Sequence, residues 1–205
     1  MPMRTRHFLL ITVVALVMAG CVGSGGIPQE HFYRLPQLSP TTSHQAPPPS
    51  LALSVPRLRA TGLLHERALL YSDSKQPQDI RSYHYLQWQD PPGILVRDHL
   101  ITYLRDSGLS PRIIAPASGA RAELKLVGKL IRMEQVTTGE GVTAVVEVEF
   151  SLLRGGQTLF GPERYQSEAA SGSRSPSTTV NAFGSALKNV YDDLITDLVR
   201  NAASR

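Results

Sequence analysis

Polar and apolar residues alternate most strictly in two stretches of the second half of the chain. From Ala122 to Met133, Leu124, Leu126 and Leu130 fall on one parity, and Glu123, Lys125, Val127 and Lys129 on the other. From Val142 to Leu153, Val146, Val148, Phe150 and Leu152 oppose Glu147, Glu149 and Ser151. A period of two sends successive side chains to opposite faces, so both stretches predict long antiparallel strands with one buried and one wetter face. Thr138-Gly139-Glu140-Gly141 supplies the turn between them, and Gly155-Gly156 turns the second into a third strand from Leu159 to Ala169. Shorter strand patterns cover His31–Leu35, Leu51–Val55, Arg67–Tyr71, Arg81–Trp88 and Arg112–Ala115. The third and fourth of these form a hairpin around the polar turn Ser72–Asp79. On its second strand Tyr83 and Tyr85 share one face, and His84, Leu86 and Trp88 the other.

The period changes to that of a helix twice. Ile94, Leu95, Leu100, Ile101, Tyr103 and Leu104 make a broad apolar face, with Arg97, Asp98, Arg105 and Asp106 left in water. Asp90 is placed to cap this helix, Pro91 and Pro92 suit its first turn, and Gly108 ends it. Later, Val180, Phe183, Leu187, Val190, Tyr191, Leu194, Ile195 and Leu198 recur at steps of three, four and one, after Ser175 as cap and Pro176 at the first position. The polar face of that second helix lacks basic residues, so it packs on the sheet rather than lying on a membrane surface. The expected fold is α+β: a single domain with a mostly antiparallel sheet covered by two helices.

The N-terminus follows neither period. Arg4 and Arg6 precede an apolar run from Phe8 to Met18, and Ala19-Gly20-Cys21 follows. That is the layout of a secretory signal, with a run too short for the roughly 20 residues of a spanning helix. A cysteine directly after Ala19-Gly20 resembles the lipobox of bacterial lipoproteins, although Met18 stands where leucine is usual. Residues 1–20 are thus expected to be a cleaved lipoprotein signal peptide, and Cys21 the site of lipidation by acyl chains such as palmitate. Residues 21–30 would form a flexible tether, of which 22–30 average about 15–18 Å as a coil. The domain proper is expected over 31–205, with a proline-rich extended loop at 36–50 acting as a spacer.

Composition narrows the function classes. Two of the 21 basic residues fall in the leader, which leaves 19 against 17 acidic ones in the mature chain. With no basic run, a nucleic-acid partner is not expected. Cys21 is the single cysteine, so neither disulfides nor structural zinc held by thiolates are expected in the domain. No pair of histidines has a metal-ligand spacing, and no cofactor motif is present. Glu147 with Glu149, and Asp192 with Asp193, read as solvated faces rather than acid/base pairs. Ser185-Ala186-Leu187-Lys188 has the Ser-x-x-Lys spacing of penicillin-binding enzymes but none of their companion motifs. The chain is expected not to be an enzyme.

The order of these features over the mature chain resembles the ABC-type transport auxiliary lipoproteins, the PqiC-like family. The resemblance is carried by Cys21, Phe32-Tyr33-Arg34-Leu35, the Val55–Leu58 segment and the Arg67–Tyr71 strand. It continues through the aromatic strand Tyr83–Trp88 running into Pro91, the two long strands and the Val180–Leu198 helix. The insert at 36–50 departs from it. The resemblance implies a non-catalytic lipoprotein of the outer membrane, facing the periplasm. It would work with an ABC transporter and an MCE-domain periplasmic protein that move phospholipid or other hydrophobic molecules between the two membranes. Val22, where an aspartate would retain a lipoprotein at the inner membrane, agrees with the outer one. Tyr83, Tyr85 and Trp88 are the candidate partner interface, with core packing of the hairpin as the competing explanation. A homo-oligomer stays open. So do two other functions: an assembly factor (pilotin or chaperone-like) for an outer-membrane complex, and a periplasmic hydrolase using Ser185 and Lys188.

Overall fold

A computed structural model describes residues 28–43, 51–110, 112–114 and 121–203. Cys21, Val22 and most of the expected tether lie outside the described residues, as does the second half of the proline-rich segment. Eight strands form one sheet: β1 (His31–Tyr33), β2 (Leu53–Ser54), β3 (Ala68–Asp73), β4 (Gln76–Trp88), β5 (Ile113–Ile114), β6 (Leu124–Thr137), β7 (Val142–Arg154) and β8 (Gln157–Ser171). Two helices, α1 (Pro92–Asp106) and α2 (Pro176–Ala203), cover it, and a short 3₁₀ turn spans Gly62–His65. The fold class expected from the sequence is the one found.

β6 is the spine of the sheet. Along one side it pairs antiparallel with β7, which pairs antiparallel with β8. Its other side is shared: β2 runs parallel to its beginning and β3 parallel to its end. β4 follows β3 antiparallel, and β1 and β5 add parallel edges to β4 and β2. The long hairpins are therefore antiparallel while the short N-terminal strands make the sheet mixed.

The helical stripe of α2 is buried as its spacing requires, since Val180, Phe183, Leu187, Val190, Tyr191, Leu194, Ile195 and Leu198 are all in the core. They lie over β7 and β8, where Val146, Val148, Phe150 and Tyr165 meet them. At roughly 1.5–3 kcal/mol for each large apolar side chain taken out of water, this stripe outweighs every polar contact of the helix. α1 packs beside it: Tyr103 and Tyr191 have ring centroids 5.2 Å apart, and the Tyr191 hydroxyl donates to the Val96 carbonyl at 3.1 Å.

Several expectations about element ends are corrected. The polar turn between β3 and β4 shrinks from eight residues to Ser74-Lys75, because the Asp73 carboxylate accepts the Lys75 amide at 2.8 Å and Ser74 donates to Thr137 on β6. Pro77 is tolerated inside β4 because the strand's outer edge is unpaired there and needs no amide donor. Asp90 does not cap α1; Pro91 occupies the cap position without a side-chain bond, and Pro92 starts the helix. At the other end Gly108 takes φ +71°, a left-handed conformation suited to glycine, and donates to the Arg105 carbonyl. Ser175 stands at the start of α2 as expected, its carbonyl accepting from Thr179, although its hydroxyl pairs with Ser177.

The first half of the proline-rich segment does not run free as a spacer. Leu35 is buried and Leu38 packs against the core. Pro36 lies so close to Gly184 of α2 that a Cβ there would meet its ring. Residues 35–41 form a strap across the seam between the two helices.

Candidate functional site

The three aromatic residues proposed from the sequence do not form one surface. Trp88 is 1 % exposed and packs edge-on to Phe183, 5.4 Å between ring centroids, which assigns it to the core. Tyr83 is half-buried, stacked at 4.5 Å against Tyr71, with its hydroxyl accepting from Gln135 at 3.1 Å. Tyr85 is 46 % exposed. The cause is a bulge: between the pairs Ala68↔Gln87 and Leu70↔Ser82, β3 advances two residues and β4 five. Residues 83–86 have no register partner on β3 across that bulge, so alternation alone does not fix how far each tyrosine is covered.

What surrounds Tyr85 was not visible in the sequence. β1 lies alongside the end of β4 and sets Phe32 opposite Gln87. Phe32 is more than half exposed, with the Arg67 guanidinium 5.2 Å from its ring centroid, a cation–π arrangement. Beside them Leu63, His65, Arg67, Ser82, Tyr83 and His84 line a groove of about 500 Å³. Exposed apolar groups with one guanidinium among them suit a protein surface better than a small polar substrate.

The acidic residues expected to face water are engaged instead. Glu147 is buried and pairs with Arg164 of β8 at 3.2 Å, while Glu149 keeps the same arginine at 3.9 Å. Glu134 is buried too, held by Arg132 Nε at 2.9 Å. Asp192 is no bare helix edge. It accepts from the hydroxyls of Thr41 and Tyr103, both at 2.6 Å, and from Lys188 at 2.7 Å. Partial burial opposes its ionisation, yet the bonds from Lys188, Thr41 and Tyr103 hold its carboxyl below the usual range. The Tyr103 hydroxyl is pushed upward by burial and by its bond to Asp192. This cluster ties the strap to both helices.

The same ties dispose of the serine–lysine pair. Ser185 donates back to the Asn181 carbonyl, and Lys188 is committed to Asp192 and Thr41. The lysine is therefore not positioned as a base for that serine. Among the described residues no group of three metal-ligating side chains converges. His99 donates through Nε2 to the Pro36 carbonyl at 2.7 Å, while its buried Nδ1 has no partner among the described residues. Burial pushes its pKa below the ordinary histidine value, against the raising effect of the Pro36 bond. It is a structural tie of the strap.

The fold has solved counterparts. The protein XCC0632 from Xanthomonas campestris superposes with a TM-score of 0.68 at 19% identity, covering 85% of this chain and 98% of its own. A second structure, of an uncharacterized protein, gives 0.63 at 14% identity, covering 83% and 99%. Likeness at such identities establishes the shared fold. No curated protein matches the chain. The family model of the ABC-type transport auxiliary lipoprotein component matches residues 33–194, from β1 into α2 and across the groove beside Tyr85. The chain belongs to that family, whose members are auxiliary lipoprotein components of ABC-type transport systems.

Proposed function

We propose that the protein is anchored to the outer membrane through acylated Cys21, faces the periplasm, and serves as a non-catalytic component of an MCE/ABC-type system that moves lipid between the inner and outer membranes. The family match over residues 33–194 carries this reading, and the leader ending in Cys21 supports it. Residues 21–30 tether the domain; more than one acyl chain makes such attachment durable, since a single chain holds only marginally. The open surface of Phe32, Tyr85 and the groove above Arg67 docks the MCE-domain protein of the transporter. Trp88 supports that surface from beneath without touching the partner.

Two measurements test the proposal. Mass spectrometry of the mature protein should find Cys21 as its acylated N-terminus; an unmodified cysteine would sink the anchor. The lipidated protein, purified in mild detergent, should bring down an MCE-domain protein. Repeated recovery with a secretin or another assembling outer-membrane complex instead would establish the assembly-factor function.

A further inference from the structure

The parallel pairing of the segment after β2 with β6 brings together four cations that lie far apart in the sequence. Arg59 is the bridge partner of Lys129, and Arg57 and Lys125 flank them two and four residues away. The four side chains line a groove of about 300 Å³ whose wall includes Val127 and Ser151. All four are exposed, and none makes an ion pair or side-chain hydrogen bond among the described residues. The single acidic group in the lining, Glu149, stands opposite Lys129 on β7 and shares Arg164. Like charges directly opposite each other across a strand pair oppose folding. Two other cations of this sheet are matched: Arg132 with Glu134, and Arg164 with Glu147. Here one carboxylate, Glu149, faces four cations and is shared with Arg164 as well, which leaves the groove with an excess of positive charge.

We propose that this groove is a binding site for a phosphoryl anion, the phosphate of a lipid headgroup or of a free phosphate ester. Two guanidinium forks, two residues apart on the segment after β2, can each engage an oxyanion through paired N–H donors, and the two ammonium groups add charge from β6. The Ser151 hydroxyl supplies a neutral donor on the wall. The groove's volume fits a headgroup, and the backbone bridge between Arg59 and Lys129 fixes where the four side chains start, so that binding orders the side chains alone. The site goes beyond the anchor and partner assigned above, and does not depend on which membrane holds Cys21.

The test uses the mature full-length protein in non-ionic detergent, titrated by calorimetry with inorganic phosphate, glycerol phosphate and dioctanoyl-phosphatidylglycerol. Sodium chloride at matched ionic strength, dioctanoyl-phosphatidylcholine and a glutamate-rich peptide are the controls. The phosphoryl probes should bind saturably, and the Arg59→Gln/Lys129→Gln double variant should bind them about tenfold more weakly. Without ligand the same variant should melt about 1–3 °C higher, because the opposed charges are gone. A merely structural role for these side chains would move the melting temperature the other way. Binding of phosphate and glycerol phosphate identifies a site for free phosphoryl groups; binding of the phosphatidylglycerol probe alone identifies the lipid headgroup. The proposal is overturned if no probe saturates beyond the chloride control, or if the double variant binds like the wild type. It is equally overturned if the acidic peptide binds as tightly as the best phosphoryl probe.

Discussion

Trp88 and Tyr85 stand three residues apart on β4, yet one is 1 % exposed and the other 46 %. Trp88 points to the side of the sheet where α2 brings Phe183 over it, and nothing polar competes for the space. Tyr85 lies within the bulge between Ser82 and Gln87, just before the three residues that β1 pairs. The two regions share strand and residue class and differ in what is laid over them. Aromatic residues on one strand thus serve as core in one place and stand open to solvent a single turn of the pleat away.

The comparison can be broken at the covered side first. Leu187→Ala, at the centre of the α2 stripe, should cost about 2–5 kcal/mol of stability in a urea titration. A loss below 1 kcal/mol would mean that the helix does not seal the sheet through this stripe. Next comes the strap. Asp192→Asn weakens three charge-assisted bonds at once and should cost about 1.5–3 kcal/mol, with earlier proteolysis between residues 36 and 43 as the specific sign. An unchanged cleavage pattern would separate Asp192 from the strap.

Acid should loosen the same seam. His99 has a lower pKa folded than unfolded, so above the unfolded value of 6.5 both states are neutral and stability is at its plateau. As the pH falls through 6.5 the unfolded chain takes up the proton first and stability drops. The loss levels off below the folded pKa. Denaturation midpoints between pH 8 and pH 5 should show that decline, and His99→Gln should flatten it. Asp192 acts lower: its folded pKa is depressed, so its contribution is present above the ordinary value of 3.8 and fades as the pH falls through the folded value. The smallest effect on folding belongs to the open side. Tyr85→Ser should change stability by less than about 0.5 kcal/mol, yet abolish recovery of the MCE-domain partner. Wild-type recovery with that variant would move the docking surface elsewhere.

The parts of the fold that rest on one period in one segment were legible. The α2 stripe and the alternation of β6 and β7 required no knowledge of distant residues. What escaped depends on contacts across the chain. Prolines in a polar stretch hid the strap, because the groups that receive it, Gly184 and Asp192, lie about 150 residues away. Alternation placed Glu147 on the second face of β7 but could not tell that Arg164 would partner it there. Parity along β4 could not tell that Tyr83 would pack on Tyr71 while Tyr85 stays exposed. The cationic groove left only the spacings Arg57-x-Arg59 and Lys125-x-x-x-Lys129, each unremarked until the parallel bridge sets them side by side. Composition had no means of finding it, since the charges are concentrated by folding rather than by sequence.

The strap also sets a load path. Force applied at the N-terminal end, where a membrane would pull, enters the domain at β1, whose three residues align parallel with the end of β4 and are loaded in shear rather than unzipped. The next residues are Leu35 in the core, Pro36 bonded to His99 and seated on Gly184, and Thr41 held by Asp192. Tension that frees β1 therefore meets a second grip on both helices before it reaches the long strands.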